Sequence, residues 1–337
     1  MIIVLSKKAG EKEIELVSKE IESKGLTAHV SKGKERIIIG AIGDERLLNI
    51  EHFNAMPFVE KVVPILAPYK LASREFHEEN TVVKVKGFEV GGDKVAIIAG
   101  PCAIESEEIL FETAHAVKEA GASMLRGSAF KPRTSPYDFQ GMGEEGLKLL
   151  KKAGEETGLP VETEVMDTRH VAMVAKYVDV VRIGARNMQN FDLLKEVGRL
   201  NKPVILKNGI ASTMKEFLMA AEYIMSEGNK NVILCNRGIR SFEPELRFPL
   251  LNGMVPLLKQ KTHLPVIVDP SHSTGNKSLI VPVSRAAIAE GADGLIVEVH
   301  SCPEKAMCDA AQQLKPNEFA NMMKEVGAIA KAIGRSI

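Results

Sequence analysis

The chain has 337 residues, with 44 Lys+Arg against 44 Asp+Glu, so bulk charge gives no reason to expect nucleic acid or an anionic membrane as a partner. Hydrophobic residues make up 45% and charged residues 26%, the balance of a globular protein long enough to bury a large core. No run approaches the ~18 apolar residues of a membrane span, the apolar start is too short for a signal peptide, and cysteines 102, 235, 302 and 308 lack the spacing of a disulfide framework, so the cytoplasm is the expected compartment.

Met1–Ser6 reads as a short strand. Glu11–Ser23 sets Ile14, Val17 and Ile21 at helical spacing. Leu26–Val30 and Arg36–Ile42 read as two strands about Gly33, Glu45–Asn54 as a second helix and Val59–Leu66 as a fourth strand. The order β-α-β-β-α-β over residues 1–66 is that of a small ferredoxin-like α+β domain. Residues 67–80 are polar and without a clear period, and read as a linker. Thr81–Val85 and Phe88–Val90, around Lys86-Gly87, read as a hairpin opening a second domain, residues 81–337.

From Val95 onward, apolar runs alternate with amphipathic stretches. The predicted strands are Val95–Ala99, Ser123–Arg126, Val161–Glu164, Val180–Ile183, Val204–Lys207, Val232–Cys235, Val266–Asp269 and Leu295–Val299. Such Val/Ile/Leu-rich runs suit strands buried on both faces. Eight βα units in about 240 residues predict a (β/α)8 TIM barrel. A doubly wound open sheet is the alternative, weakened by the lack of G-x-G-x-x-G after the first strand.

In a TIM barrel the active site lies at the C-terminal strand ends. Here nearly every predicted strand ends in a reactive side chain: Cys102, Arg126, Glu164, Arg186, Lys207, Arg237, Asp269 with His272, and Glu298 with His300. Arg126, Lys131, Arg133, Arg186, Lys207 and Arg237 are expected to converge on one mouth. Unpaired burial of so much positive charge costs several kcal/mol, so phosphate or carboxylate substrates are the expected counter-ions. Structural ion pairs with nearby acids are the competing explanation. Cys102, His272, Glu298 and Asp309, with Asp269 and His300 close by, offer a thiolate, an imidazole and carboxylates. That set suits a divalent metal ion without choosing between Mn, Fe, Co and Zn. Cys302 and Cys308 are rival ligands beside Asp309; Cys102 is preferred because it follows a strand end.

Ala99-Gly100-Pro101-Cys102, Lys131-Pro132-Arg133-Thr134-Ser135-Pro136-Tyr137, Ile183-Gly184-Ala185-Arg186-Asn187, Val268-Asp269-Pro270-Ser271-His272 and Val297-Glu298-Val299-His300 together resemble the 3-deoxy-D-arabino-heptulosonate 7-phosphate (DAHP) synthase family. The likeness is to its type I-beta-like branch, which carries an N-terminal ferredoxin-like regulatory domain, and it spans essentially the whole chain. It implies condensation of phosphoenolpyruvate with erythrose 4-phosphate, the first step of the shikimate pathway. It implies Cys102, His272, Glu298 and Asp309 as metal ligands, and Arg126, Lys131, Arg186, Lys207 and Arg237 as phosphoenolpyruvate-binding cations. Arg133, Thr134 and Ser135 match the segment holding the aldose phosphate, Glu164 and Asp269 belong to the expected site, and Lys131 is the candidate proton donor. The resemblance further implies feedback inhibition by tyrosine or phenylalanine through the N-terminal domain, and a homotetramer. The alternatives are the related 3-deoxy-manno-octulosonate 8-phosphate synthase, whose equivalent loop typically reads Lys-Ala-Asn-Arg, and a catalytically silent metabolite-binding regulator.

Overall fold

The computed structural model describes residues 1–6, 8–33, 36–63 and 68–337. The chain forms two compact units: Met1–Glu79 with Lys261–His263, and Asn80–Gln260 with Leu264–Ile337.

The first unit is a four-stranded antiparallel sheet of order β2-β3-β1-β4, made by β1 (Ile2–Leu5), β2 (Thr27–Lys32), β3 (Ile37–Ile42) and β4 (Val59–Val63). With α1 (Glu11–Ser23) and α2 (Ile50–Asn54), the chain order is the ferredoxin-like β-α-β-β-α-β. Helix α1 buries Ile14, Val17 and Ile21, one stripe at helical spacing, against Ile3, Leu5, Ile39 and Phe53. The second helix is shorter than its sequence predicts. Glu45–Leu47 is only a 3-10 turn, and the α-helix starts anew at Ile50. Asn49 causes the break: it is extended, and its side chain accepts from the Glu51 and His52 amides, capping a fresh N-terminus. The fourth strand is described only to Val63; its predicted residues 64–66 and linker residue 67 lie outside the described residues.

The second unit begins with the hairpin β5 (Val83–Val85) and β6 (Phe88–Val90). Eight parallel strands then close a barrel: β7 (Ala96–Gly100), β8 (Met124–Arg126), β9 (Val161–Val165), β10 (Val180–Ile183), β11 (Val204–Lys207), β12 (Val232–Asn236), β13 (Val266–Val268) and β14 (Gly294–Glu298). The ring shuts where β14 pairs with β7, Glu298 opposite Gly100. This is the (β/α)8 fold and excludes the open sheet. Helices follow the strands in turn: α3 (Glu107–Glu119), α4 (Glu144–Thr157), α5 (Val171–Ala175), α6 (Phe191–Gly198), α7 (Met214–Ser226), α8 (Met254–Lys261), α9 (Pro270–Thr274) with α10 (Lys277–Ala289), and α11 (Pro316–Ala332). Val83, Val85 and Val90 of the hairpin pack with Ile98, Ile205, Ile233 and Ile267 in one core cluster. The strand bounds differ from the predicted ones by at most one residue at either end, and those of β10 and β11 coincide. All eight staves are buried, so most of their sequence reads as apolar runs, while Glu162 and Glu164 of β9 and Arg182 of β10 carry charge inside the barrel.

Candidate active site

The mouth of the barrel is assembled from turns that the local sequence dictates. Gly100 ends β7 at φ +148°, and a Cβ there would overlap the Arg126 carbonyl, so only glycine lets the chain swing into Pro101-Cys102. Gly184 after β10 is needed for a different reason: a Cβ would overlap the Glu164 carboxylate. After β13, Asp269 caps α9 by accepting from the His272 amide at 2.9 Å, and Pro270 occupies the first turn. That turn delivers His272 to the mouth, with Nδ1 2.8 Å from Asp269 and Nε2 3.4 Å from Glu298. The Ser271 hydroxyl accepts from the Glu298 amide and ties α9 to β14.

Two donor groups meet at this point. Cys102, Cys308 and Asp309 have ligand atoms within 4.8 Å of one another, and so do His272, Glu298 and Asp309. Asp309 joins the two sets. It has φ +50°, a conformation asparagine and aspartate tolerate better than most residues. A buried thiol pair, an imidazole and two carboxylates facing one space suit a divalent ion of the Mn, Fe, Co or Zn type. The Cys102 and Cys308 sulfurs are 3.0 Å apart. Cys302 is turned away, with its sulfur 3.7 Å from Glu304.

Beside the donors opens a cleft of about 380 Å³, whose walls include Lys131, Arg133, Thr134, Glu164, Arg186, Lys207, Arg237 and His272. Ser135 is not among its lining residues; its hydroxyl accepts from the Tyr137 amide. Of the six expected cations, Arg126 is the one outside the cleft's lining. This side chain is fully buried, donating from Nη2 to Glu298 at 3.0 Å, while Nε and Nη1 are buried without a protein partner. Lys131 Nζ lies 3.0 Å from the Cys102 sulfur and 3.3 Å from the Cys102 carbonyl. Lys207 donates to Asp269, and Arg133 pairs with Asp138 at 3.2 Å. Among the described residues, no carboxylate lies within ion-pair distance of Arg186, Arg237 or Arg240, all of which border the cleft. The Arg237 guanidinium stacks 3.5 Å over the Phe248 ring.

Charge and burial set the protonation states. Burial pushes the Cys102 thiol well above its ordinary value, with Cys308 and Glu298 acting in the same sense and Lys131 opposing them. Burial also brings Arg237 down to about 10 and lowers His272, favouring a neutral imidazole able to act as a ligand. Asp309 sits far below the carboxylate range: burial raises it, but His272 in its protonated form, together with Arg247 and Lys131, outweighs that effect.

Sequence reasoning assigned no role to several residues that hold this site together. Arg182 on β10 donates to Glu162 and Glu164, both at 2.9 Å, and to the Ser128 hydroxyl at 2.8 Å. Gln312 donates to Glu298 and accepts from Arg247, each at 2.6 Å. Gln313 accepts from the Cys102 amide and donates to the Cys308 carbonyl. The Arg182 set was detectable, because an arginine in the apolar run Val180–Ile183 needs buried acids, and Glu162 and Glu164 share one face of the neighbouring strand.

A closed (β/α)8 barrel with a cationic cleft at its C-terminal mouth places the chain among TIM-barrel enzymes that handle anionic substrates. The chain belongs to the DAHP synthetase I family, whose model matches residues 77–332, and residues 1–67 match the DAHP synthase ferredoxin-like domain. It is 49% identical over 334 residues to phospho-2-dehydro-3-deoxyheptonate aldolase of Thermotoga maritima, covering 99% of both chains. The crystal structure of a Thermotoga maritima phospho-2-dehydro-3-deoxyheptonate aldolase (DAHP synthase) superimposes with a TM-score of 0.80 at 48% identity, over 99% of this chain and 98% of that one. A 2-dehydro-3-deoxyphosphooctonate aldolase of Koribacter versatilis is 33% identical over 267 residues, covering 74% of this chain and 96% of the relative.

Proposed function

We propose that the protein condenses phosphoenolpyruvate with D-erythrose 4-phosphate and water, giving 3-deoxy-D-arabino-heptulosonate 7-phosphate and inorganic phosphate. The observation that carries this reading is the set of unpaired cations, Arg186, Arg237 and Arg240, facing a cleft that adjoins the donor cluster. Phosphate and carboxylate groups supply the missing negative charge. Family membership and the full-length likeness to a heptonate aldolase select the four-carbon sugar over the five-carbon one. The loop Lys131-Pro132-Arg133-Thr134 supports the same choice.

In this reading Arg126, Arg186, Lys207 and Arg237 hold the phosphate and carboxylate of phosphoenolpyruvate, while Arg133, Thr134 and Ser135 hold the aldose phosphate. C3 of phosphoenolpyruvate attacks the aldehyde carbon. Lys131 Nζ, held charged despite its burial by Cys102, Cys308 and nearby acids, delivers a proton to the aldehyde oxygen. Water adds at C2, and phosphate leaves by C–O cleavage. Asp269 pairs with Lys207 and orients His272, and Glu164 pairs with Arg182 at the edge of the cleft. Cys102, His272, Glu298 and Asp309 would hold a divalent ion (Mn, Fe, Co or Zn). When bound, that ion supplies Lewis-acid polarisation of the aldehyde oxygen. Fixing both substrates in attack geometry supplies several kcal/mol more.

Residues 1–66 are read as a regulatory domain binding tyrosine or phenylalanine, 67–80 as a linker and 81–337 as the catalytic domain. A cytoplasmic homotetramer completes the proposal; among the described residues, no helix is long and apolar enough to cross a membrane. The deciding experiment measures phosphate release with erythrose 4-phosphate or arabinose 5-phosphate, each with Mn²⁺ and after chelation, and then with millimolar tyrosine or phenylalanine. Metal-dependent turnover with the four-carbon sugar alone is expected. Turnover with arabinose 5-phosphate alone moves the protein to the octulosonate reaction, and silence with both overturns the proposal.

A further inference from the structure

Cys308 is buried, yet it borders the cleft rather than filling the core. Its sulfur lies 3.0 Å from that of Cys102, and the Cys102 sulfur lies 3.3 Å from Asp309 Oδ2. The pair is fixed by the backbone, since the fully buried Gln313 side chain accepts from the Cys102 amide at 3.0 Å and donates to the Cys308 carbonyl at 2.9 Å. Two loops about 200 residues apart in sequence are thereby held so that both thiols lie within 4.8 Å of Asp309, which lies equally close to His272 and Glu298.

From this geometry we infer that Cys308 is a second sulfur ligand of the metal site, so that the site takes a thiophilic divalent ion in preference to Mn²⁺ or Mg²⁺. The inference rests on the metal reading given above and adds a fifth donor to it. An ordinary buried cysteine would have its sulfur among apolar side chains alone; this one packs with Ala103 and Phe139 but also has the Cys102 thiol and the Asp309 carboxylate within 4.8 Å. In a five-donor site, sulfur ligands about 2.3 Å from the ion sit roughly 3.3–4.0 Å apart, so the pair opens by about 1 Å or less to admit it. Soft thiolates favour Zn²⁺, Co²⁺ and Fe²⁺, whereas an all-oxygen and imidazole set would leave Mn²⁺ competitive.

The test uses the full-length protein stripped of metal and titrated with Co²⁺, reading the near-ultraviolet sulfur-to-cobalt charge-transfer band and, by calorimetry, the binding stoichiometry. The native protein is expected to show a band that falls by about half in Cys308→Ser and in Cys102→Ser and vanishes in the double variant, since each thiolate adds its own band. Cys308→Ala, which tests removal of the sulfur without a new hydroxyl, should match Cys308→Ser. Zn²⁺ preference over Mn²⁺ should narrow by about tenfold or more in either Cys308 variant. A full-strength band in both Cys308 variants, with Cys102→Ser silent, overturns the role of Cys308 and leaves the four-ligand site standing. Absence of Co²⁺ binding by folded native protein overturns the metal reading itself.

Discussion

Replacing Arg182 with Met removes a buried cation from between two buried carboxylates and keeps most of the side-chain length. Arg182 donates to Glu162 and Glu164, each at 2.9 Å, and all three are almost fully buried. Stranding one member of a buried ion pair costs roughly 3–5 kcal/mol. Both carboxylates lose their partner here, but protonation of one limits the loss, so the same range applies. At about 2–4 °C per kcal/mol for a unit of this size, the melting temperature should fall by roughly 6–20 °C. The pH dependence identifies the cause. Glu164 is now held below its ordinary value: burial raises it, and Arg182, Lys131 and Lys207 more than offset that. Without Arg182, the folded-state pKa of a stranded carboxylate rises above the unfolded value of about 4.3. The penalty is therefore complete at neutral pH and fades as pH falls through the raised folded value towards 4.3. Scanning calorimetry at pH 7 and pH 5 measures both quantities, and adding Glu162→Gln to the variant should restore part of the loss. A shift under about 2 °C at pH 7, or an equal shift at both pH values, would refute the reasoning.

Lys131→Met should lower kcat by about 10²–10⁴, the usual share of a general acid, while leaving metal affinity equal or tighter; kcat within tenfold of the native value would remove Lys131 from proton transfer. Arg186→Ala takes one charge-assisted contact from the substrate phosphate or carboxylate, worth about 1.5–3 kcal/mol, so KM for phosphoenolpyruvate should rise roughly tenfold or more in steady-state kinetics; an unchanged KM counts against its place in the site. Gln312→Leu deprives Glu298 of its 2.6 Å donor, and calorimetric metal binding should weaken by about 10–100-fold. In the first unit, burial lowers His263 to about 4, and its Nε2 lies 2.7 Å from the Leu71 carbonyl. The unfolded chain takes up this proton near pH 6.5 and the folded one only near 4. Stability is therefore full above 6.5 and drops by about 3 kcal/mol as pH falls to 4. Urea unfolding of the native protein and His263→Asn at pH 7 and 4.5 should show a steeper loss in the native protein.

The staves of the barrel were legible because burial on both faces leaves only apolar residues, as in Val204–Leu206 and Val232–Leu234. Helix α1 was legible because one face is buried and Ile14, Val17 and Ile21 mark it. The second helix was read too long because Glu45–Asn54 has helical composition throughout, and only the capping geometry of Asn49 reveals the restart. Site residues that end strands, such as Cys102, Lys207 and Asp269, could be read from position alone. Arg247, Cys308, Gln312 and Gln313 could not, because they lie in irregular segments without a period. Their placement depends on long-range pairing, including the bridge between Val299 and Leu314 that fixes the chain after β14.

The electrostatics of the cleft divide by depth, and the division bears on which chemistry fits. In and around its floor, five cations, Arg126, Lys131, Arg182, Lys207 and Arg247, face five carboxylates, Glu162, Glu164, Asp269, Glu298 and Asp309, before either thiol ionises. His272 adds nothing to the positive side, since its burial favours the neutral form. The floor is thus balanced only while both thiols stay protonated; once they ionise it is short of positive charge where carboxylates and sulfurs converge, the condition a divalent ion relieves. The wall is the reverse: Arg186, Arg237 and Arg240 lack carboxylate partners, and the depressed value of Arg237 records both its burial and the repulsion from Arg247 and Arg186. A neutral substrate would relieve neither end. A molecule with anionic phosphate at one end and a polarisable carbonyl at the other would satisfy both; erythrose 4-phosphate is such a molecule, and phosphoenolpyruvate brings a further phosphate and a carboxylate to the cationic wall. Salt separates the two ends: raising ionic strength should raise KM, because the cationic wall is partly exposed, and should change metal affinity much less, because the donor atoms on the floor are mostly buried.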